Sequence, residues 1–391
     1  MKATGTYVTC ATAEESFRAF VPARLPPEPL SLENTDFDLI EQANRALGRL
    51  DGVTTLLPDS SIFLYFYVRK EALLSSQIEG TQSSFADLLL HENKLALGVP
   101  VQDVQEVSNY VAALSHGLKR IREDGFPLSL RLIKEVHSVL MAKGRGSDKA
   151  PGQFRRSQNW VGGTRPGNAV FVPPPPDRLM QCLDNFEKFL HDRPRRTPVL
   201  VKAGLAHVQF ETIHPFLDGN GRLGRLLITL LLCAEKALHE PLLYLSLYFK
   251  RNRQLYYDLL QNVRVKADWL GWLRFFLEGV RDTAQQAADT AKAILAQFQR
   301  DRQAIEGLGR RAGTAHRLHQ LLQARPILSI PLAARGVKVS APTARAAVEA
   351  LEKLKIVREI TGKQRDRLYA YDRYMKILDE GTEPLPPAAR R

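Results

Sequence analysis

The stretch that decides the fold of this 391-residue chain is HPFLDGNGRLGR, residues 214–225. It lies between two apolar stretches, residues 197–212 and 226–234, which are predicted to form helices. The second helix is expected to begin at or near Gly221, because the turn sequence DGNG comes immediately before it. The chain is therefore predicted to place a glycine-rich turn at the amino end of a buried helix.

This turn has the chemistry of a polyphosphate site. Free amides at the start of a helix, together with the positive end of the helix dipole, bind phosphate. Gly219 and Gly221 let the backbone approach an anion closely. Arg222 and Arg225 are three residues apart on one helical face, which suits them to grip a polyphosphate. The pattern therefore predicts a nucleotide-phosphate cradle.

Two further residues of the stretch carry reactive side chains. Asp218 offers a hard oxygen ligand for Mg²⁺, which usually joins a carboxylate to nucleotide phosphates. His214 has the chemistry of a general base near neutral pH. Residues 219–224 also match GxGxxG, but that dinucleotide fingerprint needs a preceding strand, and a helix is predicted there. A dinucleotide site is therefore not expected.

The whole chain is predicted to be mainly α-helical. Its composition, 44% apolar and 25% charged, excludes a disordered chain, and its three cysteines form no CxxC pair. No apolar run approaches the roughly 18–20 residues of a membrane span, so a cytoplasmic location without membrane contact is expected. Residues 1–30, with four prolines at 22, 26, 27 and 29, are predicted to be irregular. The predicted domains are an N-terminal helical region (1–100), a catalytic domain (101–280), a connector helix (281–309) and a winged helix-turn-helix domain (310–380).

One segment interrupts the predicted helices. Residues 152–176, GQFRRSQNWVGGTRPGNAVFVPPPP, are rich in glycine and proline. Two short apolar pieces, residues 159–161 and 169–172, flank the turn sequence GGTRPGN, which predicts a hairpin. The hairpin is either a surface excursion or a flap over a site.

The C-terminal residues carry most of the surplus positive charge. The chain has a net charge of +13, and residues 310–378 alone hold fifteen Lys or Arg against five Asp or Glu. Three short helices (315–323, 329–334 and 341–354) and a strand pair (357–361 and 367–371) predict a winged helix-turn-helix. DNA is a candidate partner through residues 329–371, and protein contact or a homodimer is the alternative.

Residues 214–225 match the signature HxFx(D/E)GNGRxxR, and over roughly residues 20–375 the chain resembles the Fic family. The resemblance implies a Fic-type helical bundle with a β-hairpin flap that transfers AMP from ATP to a protein hydroxyl. His214 would then be the catalytic base, and Asp218 would hold Mg²⁺. The motif residues expected to bind the nucleotide are Asp218, Gly219, Asn220, Gly221, Arg222, Leu223 and Arg225.

The same resemblance assigns roles outside the motif. The flap, residues 152–176, would align the protein substrate by strand addition. Val161, Gly162 and Gly163 are expected to contact the nucleotide or the target. Tyr256 and Tyr257 would line the adenine side, although two tyrosines on one helix are also typical of a core.

A second family element is residues 75–80, SSQIEG, which fits the inhibitory pattern (S/T)xxxE(G/N). The resemblance implies that Ser75 and Glu79 are regulatory, with Glu79 paired to Arg225 so that ATP binds unproductively. Two alternatives stay open: Glu79 orients a water that removes AMP from a modified protein, or the Fic domain only senses nucleotide for a DNA-binding regulator. The kinase-like Doc branch is disfavoured, because that branch has lysine where this chain has Gly221.

Overall fold

The computed structural model describes residues 4–11, 15–56, 60–92, 101–309 and 312–385. The predicted boundaries at residues 100 and 310 lie outside these ranges. The helices are α1 (Asn34–Leu56), α2 (Ser60–Ile78), α3 (Phe85–Glu92), α4 (Val101–Arg122), α5 (Leu130–Leu140), α6 (Pro176–Leu190), α7 (Val199–Ile213), α8 (Asn220–Ala234), α9 (Ser246–Arg251), α10 (Arg253–Lys266), α11 (Trp269–Glu306), α12 (Ala312–Ala324), α13 (Ile330–Val337), α14 (Ala341–Lys353) and α15 (Asp372–Asp379). The strands are β1 (Gly5–Ala11), β2 (Ser16–Pro22), β3 (Ile327–Ser329), β4 (Val357–Glu359) and β5 (Leu368–Tyr371).

Helices α7 and α8 form the centre of the bundle. Every residue of α7 from Leu200 to Ile213 is buried, and α8 is buried along most of its length. A helix that is apolar on all sides needs neighbours on all sides. Helices α6, α10 and α11 pack on α7, while α4 and α5 pack on α8. The loop between the two central helices, residues 214–219, is therefore fixed at both ends by buried structure.

Helix α2 is also buried, as its nearly continuous apolar sequence predicts. It packs against α4, α8 and α9, so its carboxyl end lies beside the amino end of α8. From Ala72 to Ile78 its side chains are inaccessible to solvent. Arg253 of α10 also holds this end of α2, because its Nε donates to the carbonyl oxygen of Ile78 at 3.1 Å.

Two paired strands lie within residues 5–22, so the prediction that residues 1–30 are irregular is wrong there. Strands β1 and β2 pair antiparallel from Gly5 with Pro22 to Ala11 with Ser16. Within β2, Phe17 and Ala19 are buried and Arg18 between them is exposed. This alternation is the period-two pattern of a half-buried strand, and it outweighs the helix-breaking prolines that follow it.

Helix α11 runs without a break for 38 residues, across the boundary predicted after residue 280. Gly279 was expected to end a helix, but it lies inside α11 and lets the helix approach Tyr248 closely: a Cβ there would lie 2.8 Å from that ring. The first half of α11 packs on α7, where the indole of Trp272 donates to the carbonyl oxygen of Gly204 at 2.8 Å. The second half reaches the C-terminal elements, so one helix joins both parts.

Residues 312–379, called the C-terminal unit below, contain the three helices and the strand pair that the sequence predicts. They also contain two elements that were not predicted, β3 and α15, and the sheet order is β3-β5-β4 with antiparallel pairing. The unit is fixed to α11 by Tyr371, whose hydroxyl donates to Asp301 at 2.6 Å and whose ring stacks on Phe298.

A short strap, residues 380–383, continues from α15 onto the buried end of α2. The amide of Gln77 donates to the carbonyl oxygens of Thr382 and Ser83 at 2.8 and 2.9 Å. Lys250 of α9 donates to the carbonyl oxygens of Gly381 and Glu383. The strap therefore ties the C-terminal unit to both α2 and α9. Among the described residues, no helix is long and apolar enough to cross a membrane.

Candidate active site

His214 ends helix α7 in an unusual backbone conformation. Its φ of 50° and ψ of 61° lie in the left-handed region, which costs a residue with a Cβ about 1–2 kcal/mol. The helix stops there because Pro215 cannot continue it. Arg155 and Asn159 donate to the carbonyl oxygen of His214 at 2.9 and 3.3 Å. These two side chains, from the base of the flap, thus stabilise the strained turn.

The His214 ring is held neutral. Burial, together with the nearby guanidinium groups of Arg264 and Arg155, lowers its pKa to about 4. Its Nδ1 is buried without a hydrogen-bond partner among the described residues. A neutral imidazole has one unprotonated nitrogen, so the ring can accept a proton at physiological pH.

The loop after His214 is braced from inside by Asn220. Its side-chain oxygen accepts from the amide of Phe216 at 2.9 Å, and its side-chain nitrogen donates to the Phe216 carbonyl at 2.8 Å. Asn220 is 2% exposed. The Asn220 side chain therefore closes the loop, and only its backbone amide is left to face an anion.

His137 of α5 braces the same loop from behind. Its Nδ1 accepts from the amide of Gly152 at 2.8 Å, so Nε2 carries the proton and donates to the carbonyl oxygen of Asp218 at 3.0 Å. Its ring stacks on Phe216 with 3.7 Å between centroids. Burial lowers the pKa of His137 to about 4, so this ring is neutral and serves the loop geometry.

The start of α8 has the free amides on which the predicted anion cradle depends. In the part of the chain that the structure describes, the amides of Asn220, Gly221 and Arg222 donate to no acceptor, whereas the amide of Leu223 donates to Gly219 at 3.0 Å. Three free donors at the positive end of a buried helix dipole bind anions. Leu223 is fully buried and its amide is used, so it does not join the cradle predicted for it.

The carboxylate of Glu79 lies against this cradle. Its Oε1 accepts from Nη2 of Arg225 at 2.6 Å, and a Cβ on Gly221 would lie 2.3 Å from the same oxygen. Arg225 also donates to the hydroxyl and the carbonyl of Ser75, at 2.9 and 3.0 Å. Burial alone would raise the pKa of Glu79, but the guanidinium beside it holds that pKa below its usual value. The predicted contact between Glu79 and Arg225 is thus present, and Ser75 adds two contacts that were not predicted.

The flap is a minimal hairpin. Val161 forms an isolated antiparallel bridge with Phe171, donating to its carbonyl at 2.8 Å and accepting from its amide at 3.1 Å. Gly162 and Gly163 both have a φ of 69°, which lets the chain turn directly after the bridge. The contact predicted between residues 161–163 and the nucleotide or target stays a prediction.

The N-terminal hairpin supports the outer side of the flap. The amide of Phe20 donates to the carbonyl of Val172 at 2.9 Å. At the flap tip, the carboxylate of Glu15 accepts from Arg165 at 2.8 Å and from the amide of Gly167 at 3.2 Å. The flap is therefore one side of a larger β-structure.

The fold and the motif have known relatives. Residues 37–119 match the N-terminal domain of the Fic/DOC family, and residues 127–232 match the Fic/DOC family domain. The chain therefore contains one segment similar to each of the two Fic/DOC family domains. A Fic family protein from Desulfovibrio desulfuricans G20 shares the fold, with a TM-score of 0.58 at 22% identity over 88% of this chain and 98% of that one.

Two curated relatives are named protein adenylyltransferase Fic. The one from Aedes aegypti is 29% identical over 262 residues, which are 66% of this chain and 48% of the relative. The one from Culex quinquefasciatus is 30% identical over 216 residues, which are 54% of this chain and 39% of the relative. The chain therefore spans half or less of the length of these relatives.

Of the residues that the Fic resemblance assigns to the nucleotide, Asn220, Leu223 and Arg225 are buried, and so are Arg222 and Tyr256. Arg222 is 2% exposed, and its guanidinium donates to Glu106 of α4 at 3.2 Å and lies 3.7 Å from Asp218. Tyr256 is 1% exposed, and its hydroxyl lies 2.8 Å from Nε2 of His207. Tyr256 is therefore a core residue, as the alternative interpretation held, and Arg222 reaches outer phosphates only if it leaves Glu106.

Tyr257 and Asp218, by contrast, are reached by solvent. Tyr257 is 36% exposed, with Arg253 5.3 Å above its ring. The carboxylate of Asp218 is 38% exposed and accepts from the amide of Gly219 at 2.6 Å. The described residues contain no group of three or more potential metal ligands. Asp218 alone fits Mg²⁺, since this ion commonly binds one carboxylate, phosphates and waters.

Proposed function

We propose that this chain is a protein adenylyltransferase, which moves AMP from ATP to a Ser, Thr or Tyr hydroxyl of a protein target. One observation carries the proposal: a neutral imidazole and three free helix-start amides lie at the two ends of one braced loop. The names of the curated relatives support it. Similarity to the family alone is the weaker support, since a fold hosts several chemistries.

The proposed reaction needs a base, an anion cradle and an aligned acceptor. Nε2 of His214 takes the proton of the acceptor hydroxyl, whose oxygen forms a bond to the α-phosphorus of ATP. The bond from that phosphorus to the bridging oxygen of the β-phosphate breaks, and pyrophosphate leaves. The amides of Asn220 and Gly221 would hold the β-phosphate, and the edge of the flap would pair with the target chain.

Asp218 is the residue we assign to Mg²⁺. Its carboxylate is exposed and adjoins the cradle, so it can share the ion with bound phosphates. When bound, the ion neutralises charge on the phosphate oxygens. The protein contributes the orientation, because the Asp218 backbone is fixed by His137.

Autoinhibition by Glu79 is part of the proposal. The carboxylate occupies Arg225, the arginine expected to bind the γ-phosphate, and would repel that phosphate. ATP would then enter with its α-phosphate turned away from the acceptor. Relief of inhibition requires only that this one carboxylate move or be removed.

We expect Glu79→Gly to increase AMP transfer by about 10- to 150-fold, the value of one charge-assisted hydrogen bond of roughly 1.5–3 kcal/mol. The measurement is covalent incorporation of label from α-labelled ATP, on the protein itself and in a lysate. Glu123→Gly is the matched control, because Glu123 is an exposed acid at the end of α4 far from the motif.

Adding Arg225→Lys to Glu79→Gly should remove most of the gain, since both changes act through one contact and should not be additive. A Glu79→Gly protein no more active than the Glu123→Gly control would contradict the inhibitory role. If the Glu79→Gly protein instead lost an AMP-removing activity, the hydrolase alternative would replace the transferase.

His214→Ala in the Glu79→Gly background should reduce labelling by about 10²- to 10⁴-fold, because a general base is lost. Nucleotide affinity, measured by calorimetry with a non-hydrolysable ATP analogue, should be nearly unchanged, since the cradle amides remain. Equal labelling with and without His214 would exclude it as the base.

Asp218→Asn in the same background should raise the Mg²⁺ concentration needed for half-maximal labelling and lower the maximal rate. The exposed side chain leaves the fold unchanged, which circular dichroism would verify. Activity that is the same with and without a chelator would rule out the metal role.

Duplex DNA is a proposed partner of the C-terminal unit. The wing between β4 and β5 and the start of α14 expose several basic side chains, although Glu349 and Glu352 are also exposed there. These basic residues are Arg335, Lys338, Arg345, Lys363, Arg365 and Arg367. The predictions of a homodimer and of a cytoplasmic location stay predictions.

Fluorescence anisotropy with a 5′-labelled duplex should give binding that weakens steeply with salt. Replacing Lys363 and Arg365 by alanine should weaken it, whereas replacing Arg131 and Arg178, exposed on the helical bundle, should not. An equal effect of both pairs would mean that net charge alone drives binding.

A further inference from the structure

Arg264, near the end of α10, lies where the candidate base and the flap meet. Its Nε donates to the hydroxyl of Thr212 at 3.1 Å, and its Nη2 donates to the carbonyl of Glu211 at 3.2 Å. Both partners belong to the last turn of α7, which leads directly into His214. The guanidinium therefore braces the helix end that sets the position of the imidazole.

The same guanidinium supports the flap. Its central carbon lies 3.9 Å from the ring centroid of Phe171, which is the flap residue that bridges to Val161. Phe171 is 4% exposed, so this cation–π contact is largely desolvated. Such a contact stabilises by about 1–2 kcal/mol.

The guanidinium of Arg264 has no ion-pair partner within contact distance among the described residues, although the buried carboxyl group of Glu211 is near enough to raise its pKa. Its hydrogen-bond acceptors within the described chain are a hydroxyl, a main-chain carbonyl and the amide oxygen of Gln261, and it forms no ion pair there. The residue is 9% exposed, so solvent screens it little. Its field therefore acts on its neighbours, and it lowers the pKa of His214 in the same direction as burial.

Other charged groups also face His214. Arg155 of the flap base lowers the pKa of the imidazole, and Glu79 of α2 raises it. The main-chain carbonyl of Glu211 on α7 raises it as well. Arg264 is the only one of these groups that also contacts the flap ring of Phe171 among the described residues.

We propose that Arg264 is a positioning residue that couples two requirements of the site: a neutral His214 and a flap seated beside it. The purpose of this coupling rests on the proposed function, because a base must be unprotonated when the target strand is aligned. The two physical effects do not need AMP transfer, so they can be measured whether or not the chain is an adenylyltransferase.

The test uses the full-length protein with Arg264→Gln, Arg264→Lys and Phe171→Leu. NMR titration of ¹³C-labelled histidines, with the His214 signal identified by its loss in His214→Ala, gives the pKa of His214. Hydrogen exchange of the peptide that spans residues 161–171 reports the stability of the flap. Arg120→Gln is the control, because Arg120 also lies over an aromatic ring, that of Phe126 at 4.3 Å, away from the site.

Arg264→Gln should raise the pKa of His214 by about one pH unit and speed flap exchange by about 5- to 30-fold. Phe171→Leu should speed flap exchange and leave the pKa unchanged. Arg264→Lys should keep the low pKa, since the charge remains, while flap exchange rises less than with Gln. Arg120→Gln should change neither quantity.

The proposal is overturned if Arg264→Gln changes only one of the two quantities, or neither, because one guanidinium is claimed to serve both. If Arg264→Gln does not fold, Arg264→Lys and Phe171→Leu decide: a shifted pKa in Phe171→Leu, or unchanged flap exchange in both variants, overturns the proposal. Labelling activity measured in parallel tests the proposed function separately.

Discussion

The arrangement of the whole site depends on one buried cation, the guanidinium of Arg225. A charge removed from water must be paired and fully hydrogen-bonded, and here Ser75 and Glu79 supply three acceptors. Ser75 lies on α2 and Glu79 directly follows its last residue, whereas Arg225 lies on α8. Because removing one partner of such a group costs about 3–5 kcal/mol, α2 must dock on α8 for the fold to be stable. The inhibitory contact is therefore also a structural one.

The reactive end of the site is held by a second set of contacts, all directed at main-chain atoms. Arg155 and Asn159 reach the carbonyl of His214, Asn220 closes on Phe216, and His137 reaches the carbonyl of Asp218. These contacts hold His214 in its left-handed conformation and keep the three free amides of α8 in place. They leave the side chains that would face a bound nucleotide unused. Such preorganisation leaves the chemistry to groups that are already oriented.

The sequence predicted the local parts of this site and missed most of the long-range ones. The spacing within residues 214–225 is short-range information, so the helix start and the free amides were accessible from that motif. The pairing of Glu79 with Arg225 spans 146 residues and was implied only by the resemblance to the Fic family. The partner of Arg222, by contrast, lies 116 residues away on α4, and no local pattern marks Glu106. The sequence did not show whether Tyr256 lies in the core or at the surface, because this depends on whether its side of the helix packs against His207.

The other residues and elements that were not predicted from the sequence have the same cause. His137, Arg155 and Arg264 are ordinary residues in their own segments, and they become important only because the fold brings them to the loop. The N-terminal hairpin did leave a signal, the alternation of exposed and buried positions in β2, but the prolines that follow it favoured an irregular segment. The C-terminal elements were predicted more fully, since helices and strands there are short, capped and local.

The strap at residues 380–383 has a consequence for the time scale of inhibition. The side-chain nitrogen of Gln77 donates to the carbonyl oxygens of Ser83 and Thr382, and Arg253 donates to that of Ile78. The body of α2 therefore moves only if several buried contacts break together. Such collective helix motions take microseconds to milliseconds. Glu79 lies in the turn that follows α2 and its side chain is 30% exposed, so its own torsions rotate in roughly nanoseconds or less once the ion pair opens. Because the strap holds α2, the helix moves slowly while the Glu79 carboxylate beside it rotates fast. Arg225 can therefore be released by Glu79 many times before the helix itself moves.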